Sequence, residues 1–461
     1  MNLEFLRPFI KYLPEVRMPE GRVPFKQKLQ WTAVALLLFF IMGVIYPYGV
    51  SPETLREKIR GFDQLTTIFA SSIGSIVSAG IGPIVTASII LQLMVGADMV
   101  DIDLSKPEGK ALFQGAQKIL TVVVAFFEAA ALVYATQMVT GQALIFFTIF
   151  QIALGSILLM YLDEVVSKWG IGSGISLFIA GGVSHQIITG SLNFIRTEAG
   201  TFPGYIPNFI EQLMGGKFEF ALIFPVIATI IVFLIVVFCE SLRMEIPLSY
   251  GGIRGVGGRF PIKFFYVSNI PVILASALLM NVRMLANVAG LQEGVSYASL
   301  TMFQKIVYYF TTYVTIGDLY GILSPGSWMR IFDPLIILHM VIYLAVFVAL
   351  CILFGKFWVE TTNLGSEAVA KQIQQGGLQI PGFRRDERVV KRMLDRYIPQ
   401  ITIISSVAIG LLASLAEFVG ALGSGTGILL TVGILYRMYE DIQREQMADM
   451  NPMFRKFFGK E

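Results

Sequence analysis

Histidine and cysteine are nearly missing from this chain, with two of each in 461 residues. His185 and His339 each stand alone in an apolar run, and Cys239 and Cys351 also lie inside apolar runs. That leaves no disulfide framework and no metal-ligand spacing. No glycine-rich loop ends in Gly-Lys-Ser/Thr. The nearest string, Pro107-Glu108-Gly109-Lys110-Ala111, lacks the upstream glycine and the hydroxyl, so the chain has no P-loop. HExxH is absent. Ser173 lies near His185, but turn glycines surround it. Ile316-Gly317-Asp318 lies in a loop with no second membrane aspartate. These residues argue against a protease, and no motif calls for a cofactor. Charge is scarce too. Only 15% of residues are charged against 55% hydrophobic, and mean hydropathy is +0.69. A soluble core of this size does not need so much apolar side chain. The chain reads as a polytopic membrane protein.

The first long apolar run starts at Trp31, behind four prolines and six Lys/Arg, with no small-residue cleavage pattern after it. It is read as a membrane span and not as a cleavable signal peptide. Before it, Leu3, Phe5, Leu6, Phe9, Ile10 and Leu13 recur at helical spacing among charges, as in an interfacial helix. Ten spans are expected at 31–48, 76–96, 119–139, 143–162, 171–190, 220–240, 268–289, 331–354, 398–421 and 424–440. With those spans, 27 of the 35 Lys and Arg fall on the side of the two termini and eight on the other. The positive-inside rule then puts both termini in the cytoplasm. Met302 to Ile316 is apolar and aromatic. Counting it as a span would destroy that bias, so it is read as interfacial structure in an outer loop.

The second span is broken. Phe62, Leu65, Phe69, Ile73 and Ile76 make one helical stripe, while Thr66, Ser71, Ser75 and Ser78 face elsewhere. Gly80-Ile81-Gly82-Pro83 then interrupts the chain, and the apolar piece from Ile84 to Val95 has 12 residues. That reaches about 18 Å of a roughly 30 Å hydrocarbon core. Such a half-helix is tolerated only where protein or a water-filled cavity shields it. A weak repeat accompanies the break. Gly82-Pro83-Ile84-Val85 in span 2 matches Ile270-Pro271-Val272-Ile273 in span 7. Gly172-Ser173-Gly174-Ile175 at span 5 matches Gly425-Thr426-Gly427-Ile428 at span 10. Matches five spans apart imply two halves of opposite orientation. Glu128 stands mid-span, where a carboxylate is costly and often functional. An ion-coupled transporter using it is the alternative reading. Glu417 in span 9 is similar, and neither has an obvious basic partner.

Strings spread from about Leu29 to Glu445 resemble the SecY family, the channel subunits of the Sec protein translocon. The resemblance is to the archaeal form, close to the alpha subunit of the eukaryotic ER translocon. The strings include Ile81-Gly82-Pro83-Ile84-Val85-Thr86-Ala87, Ala111-Leu112-Phe113-Gln114-Gly115 and Tyr161-Leu162-Asp163-Glu164. Further on come Tyr266-Val267-Ser268-Asn269-Ile270-Pro271, Trp358-Val359-Glu360-Thr361-Thr362, Gly423-Ser424-Gly425-Thr426-Gly427-Ile428 and Tyr436-Arg437-Met438-Tyr439-Glu440.

The resemblance implies an all-α membrane protein, ten helices in two inverted halves around an hourglass pore. It implies a passive, gated protein-conducting channel and not an enzyme, with no cofactor. Residues 1–30 would be a cytoplasmic segment and 31–190 the first half. Residues 191–219 would connect the halves outside, 220–440 form the second half, and 441–461 the tail. The pore ring would be Ile81, Val85, Ile175, Ile179, Ile273 and Leu430. A plug at about 62–74 would carry Phe62, Leu65, Phe69 and Ile73. Spans 2 and 7 would form a lateral gate to membrane lipid, with Gln92, Asn269 and Pro271 as gate residues and Pro271 as the site of a bend. Basic loops at 241–267 and 355–397 would dock a translating ribosome through ribosomal RNA. Their candidate contacts are Arg243, Arg254, Arg259, Lys263, Arg384, Arg385 and Arg388. Other implied partners are a SecE-type clamp subunit, a small beta subunit, and the nascent polypeptide with its signal sequence. The archaeal form implies the plasma membrane.

Overall fold

The computed structural model describes residues 7–10, 12–21, 23–50, 72, 74–96, 99–100, 107–196, 200–216, 220–250, 257–288, 301–311, 334–362, 364–375, 378–379 and 387–450. In chain order the elements are α1 (Arg7–Ile10), α2 (Phe25–Val44), α3 (Gly82–Gly96), α4 (Pro107–Thr136), α5 (Gln142–Trp169), α6 (Gly174–Leu192), α7 (Tyr205–Met214) and α8 (Phe220–Ser241). Then come β1 (Arg243–Tyr250), β2 (Gly257–Lys263), α9 (Ile270–Val288), α10 (Met302–Thr311), α11 (Pro334–Thr361), α12 (Ser366–Gln375), β3 (Leu378–Gln379), α13 (Glu387–Phe418) and α14 (Gly425–Met450). Each of the ten expected spans holds one helix, in order: α2 to α6, α8, α9, α11, α13 and α14. Among the described residues seven helices are long and apolar enough to cross a membrane, while α3 and α9 are shorter apolar helices.

Within the described residues the aromatic segment after Thr301 forms a helix of 10 residues, α10, about 15 Å long. It exposes Phe303, Ile306 and Phe310 and buries Val307 and Thr311, as a helix lying along a surface does. The two basic loops hold something that charge alone did not indicate. They meet in a three-stranded sheet of order β2-β1-β3, antiparallel throughout. Arg243 faces Lys263 at the hairpin base, and Ser249 faces both Gly257 and Gln379.

The first half packs α3 on α4, α4 on α5, and α2 on α5 and α6; the second packs α11 on α13 and α13 on α14. The halves meet along two seams, α3 with α9 and α6 with α14. Lys28 at the start of α2 pairs with Glu445 near the end of α14 at 2.7 Å. The N-terminal stretch and the C-terminal helix end therefore share one side. On that side Lys168 of α5 holds residues 15–16 through Glu15 and the Val16 carbonyl, and Trp169 donates to the Arg17 carbonyl.

All four seam helices begin the same way. A left-handed residue stands two positions before the first helical one: Gly80 (φ 55°), Gly172 (φ 74°), Ser268 (φ 61°) and Gly423 (φ 76°). A short polar turn thus aims each helix into the interface. At α6 and α14 an acid from the preceding helix completes the start. Asp163 of α5 accepts from the Ile175 amide at 2.9 Å and the Ser173 hydroxyl at 3.3 Å. Glu417 of α13 accepts from the Thr426 hydroxyl at 2.9 Å. The Ile175 amide is one of the backbone donors that every helix start leaves open, and the two hydroxyl contacts fix the turns beside it. They also explain the opening glycines. A Cβ on Gly174 would stand on Asp163, and one on Gly425 would stand on the backbone of Ala416 and Glu417. Gly425→Ala is expected to destabilise the protein by about 1–3 kcal/mol, the usual cost of overpacking. A thermal melt in detergent beside Gly365→Ala reads this, because Gly365 has open space around it and an ordinary backbone conformation. Equal melting points would remove the close approach as the reason for glycine.

Candidate channel and lateral gate

The six ring candidates come from the four interrupted helices and share one hydrophobic cluster. Ile81, Ile179 and Leu430 have no exposed surface, Val85 is buried, and Ile175 and Ile273 are half-buried and packed against the rest. Ile81 closes the turn before α3, Ile175 and Ile179 stand one turn apart on α6, Ile273 lies in the first turn of α9, and Leu430 in the second turn of α14. A narrow site lined only by aliphatic groups holds no ion and wets poorly.

Against this cluster lies the break in span 2. The helix expected to continue through Ile76 is replaced over 74–81 by consecutive turns. Ser75 and Ser78 do not face away from the core as a helical stripe would place them; they are buried. Their hydroxyls serve the turn's own backbone. Gly74 donates to Ser78 Oγ at 2.9 Å, Val77 to Ser75 Oγ at 3.1 Å, and Ser75 Oγ to the Ser72 carbonyl at 2.6 Å. Serine competes with the helix for backbone partners in this way, which is why a serine-rich apolar run is a turn here. Gly155 of α5 admits it, since a Cβ there would overlap the Ile76 carbonyl. The plug candidates Phe62, Leu65, Phe69 and Ile73 lie outside the described residues.

The seam between α3 and α9 carries a polar chain. Asn281 of α9 donates to the Thr86 hydroxyl of α3 at 2.8 Å, and Thr86 donates to Glu128 of α4 at 2.6 Å. Glu128 is buried, so its partner is a hydroxyl on the seam. Thr86 and Asn281 went unnoticed in the sequence. Thr86 sits inside the quoted Ile81–Ala87 string, four residues past the Gly-Pro break, and Asn281 interrupts an apolar run; the acid on α4 was the visible end of their chain. The three expected gate residues are placed differently. Gln92 is buried, and its Oε1 has no hydrogen-bond partner. Asn269 donates across to the Leu429 carbonyl of α14 at 3.3 Å and not to α3. Pro271 is the second residue of α9. A proline there sacrifices no intrahelical bond and favours the start of a helix, so it begins α9 and does not bend it.

Two of the expected ribosome contacts are occupied inside the chain. Glu440 of α14 pairs with Arg243 at 2.9 Å and with Lys263 at 2.7 Å. Arg259 is a backbone partner of Pro247 in the hairpin and Arg388 lies near the start of α13. Arg254, Arg384 and Arg385 lie outside the described residues. Nearby, Glu367 of α12 binds Lys391 at 2.6 Å and Lys371 at 3.0 Å. These two ammonium groups hold its carboxyl down to about 2, so this clasp is complete above the ordinary carboxylate range and is lost only as pH falls through about 2.

Among the described residues no group of three or more His, Cys, Asp or Glu could hold a metal ion. The SecY family profile matches residues 75–439. The protein translocase subunit SecY of Methanothermobacter thermautotrophicus is 44% identical over 99% of both chains. A structure described as that of a protein conducting channel superposes with a TM-score of 0.82 at 43% identity, covering 97% of this chain and 98% of the other. Sec61 in the canine ribosome-channel complex from the endoplasmic reticulum superposes at 0.79 with 42% identity, over 97% and 98%. These likenesses cover nearly the whole chain, and the chain belongs to the SecY family of protein translocase subunits.

Proposed function

We propose that this chain moves secretory polypeptides through the ring of Ile81, Val85, Ile175, Ile179, Ile273 and Leu430. It releases apolar helices sideways between α3 and α9. The observation that carries this reading is that four interrupted helices from both halves pair along the two seams and place these six aliphatic side chains in one apolar core. A ring without charge seals when narrow and deforms around many sequences without holding any of them. The relatives are translocase subunits and a structural neighbour is a protein-conducting channel. The pore is passive and not an enzyme.

The finer assignments follow the same line. Both termini are cytoplasmic, which fits the charge bias and the Lys28–Glu445 contact. The membrane is the plasma membrane. Phe62, Leu65, Phe69 and Ile73 form the plug within the first half, residues 31–190. The sheet of the two basic loops faces the ribosome, supported by the canine ribosome-channel relative. Arg254, Arg259, Arg384, Arg385 and Arg388 make the contacts to ribosomal RNA, an electrostatic and salt-sensitive interaction. Arg243 and Lys263 serve the hairpin base. A SecE-type clamp and a small beta subunit complete the channel. At the gate, the Asn281–Thr86 bond is the one to break. Gln92, Asn269 and Pro271 set the seam from either end.

Deleting residues 62–74 tests the reading. In proteoliposomes holding the complete complex, the idle channel is expected to leak small ions once the plug is gone. Glu128→Gln, which keeps an acceptor for Thr86, is expected to leave transport intact. A sealed deletion variant together with loss of gradient-driven uptake in Glu128→Gln would favour the transporter.

A further inference from the structure

The linker 264–269 joins the hairpin to α9, and each of its residues is hydrogen-bonded. Phe264 donates to the Leu242 carbonyl at 3.0 Å, and the Phe265 carbonyl accepts from Ser268 at 3.1 Å. The Tyr266 hydroxyl donates to the Leu364 carbonyl at 2.6 Å, and the Val267 amide to Ser405 Oγ at 3.4 Å. Asn269 reaches Leu429, and Ser268 accepts from the guanidinium of Arg437. Ser268 is the residue with φ 61° that aims α9 into the seam. Serine adopts that backbone region rarely, so something must hold it there.

Arg437 stands on one polar face of α14. Glu240 at the end of α8 is buried and lies within electrostatic reach of it, as do Glu440 and Asp441. One turn along, Glu440 gathers Arg243 and Lys263 at the hairpin base. Tyr436 accepts from Arg243 at 3.2 Å and lies under Lys263, 5.6 Å from its ring centre. At Gly433 a Cβ would overlap the Asn269 side chain and crowd Glu240. The stretch from Gly433 to Glu440 thus holds the end of α8, both ends of the hairpin and the residue that aims α9. A pore ring alone requires none of this.

We propose that Arg437 is a positioning residue for the gate, holding Ser268 so that α9 keeps the orientation in which Asn281 reaches Thr86. It sets the threshold at which a signal sequence opens the seam, and Glu440 ties the same helix to the hairpin outside. This inference rests on the gate reading above.

The test uses the full complex in vesicles. It measures translocation of a substrate whose signal has a shortened apolar core, as a ratio to the same substrate with an intact signal. Asn281→Leu probes the gate itself and is expected to raise the ratio about 3–30-fold, the range into which one interhelical hydrogen bond converts. Arg437→Gln is expected to raise it roughly ten-fold, as loss of a bond to a charged group does. Arg437→Lys, which keeps the charge facing Glu240 and one donor, is expected to stay near the parent ratio. Ser268→Gly removes the acceptor at a backbone position that suits glycine, so it folds, and it is expected to follow Arg437→Gln. A ratio raised by Asn281→Leu but by neither Arg437→Gln nor Ser268→Gly overturns the positioning role. A ratio unmoved by Asn281→Leu removes the gate reading, and this inference with it.

Discussion

Leu430→Asp is expected to make the idle channel conduct ions. Leu430 has no exposed surface and lies in the same apolar core as Ile81, Val85 and Ile179. A carboxylate at mid-membrane depth costs about 3 kcal/mol on insertion scales and more in a dry site. The site relieves that cost by admitting water, and 3 kcal/mol is roughly a 150-fold shift between a dry and a wet constriction. Potassium efflux from proteoliposomes is expected to rise at least about ten-fold over the parent, and Leu430→Val to leave it unchanged. The apolar control matters because it also alters volume. If Leu430→Asp seals as well as the parent while present at equal amount, the ring is not the barrier.

Glu417→Ala is expected to lower stability by about 2–5 kcal/mol, the cost of removing the shared acceptor of two buried hydroxyls. The side chain is buried and accepts from Tyr343 of α11 at 2.8 Å and from Thr426 of α14 at 2.9 Å. Alanine removes the acceptor that both hydroxyls share, at about 1–3 kcal/mol for each bond lost from a buried donor, and loosens the start of α14. Glu417→Gln keeps an acceptor and is expected to cost less than half as much. Thermal melting of the purified complex separates the two. Equal losses for Ala and Gln would mean that the charge, and not the capping geometry, is what matters. Asp163→Ala is the companion at the start of α6. The opposite halves use the same device, so it should destabilise in the same direction.

What was legible in the sequence follows from which forces act locally. Ten apolar runs gave ten helices because a membrane leaves the backbone no other way to satisfy its polar groups. The four Gly/Pro-interrupted starts were visible for a related reason: a left-handed residue two positions before a helix leaves a glycine at Gly80, Gly172 and Gly423. At Ser268 the same geometry is held by a distant arginine, so nothing local announced it. The sheet of the basic loops was missed because their charges drew the reading to ribosomal contact. The cue was present, two short runs flanking the glycine-rich stretch 251–258. Thr86, Asn281 and Arg437 were missed because each acts through a partner 42 to 195 residues away. Glu128 and Glu417 were rightly singled out as costly, and no basic partner was needed. Hydroxyls and amides on neighbouring helices receive them.

The central claim is that a polypeptide passes through the aliphatic ring. The most direct measurement places a photoreactive residue at Ile175, half-buried on α6 and packed against the ring cluster. The full complex is then presented with ribosomes stalled on a secretory chain. A crosslink between position 175 and the nascent chain is expected, and it should vanish for a chain without a signal sequence. No crosslink at position 175, with a probe in the 355–397 loop still reaching the ribosome, would contradict the account. The ring would then lie off the path, and an ion-coupled role for Glu128 would have to be reopened.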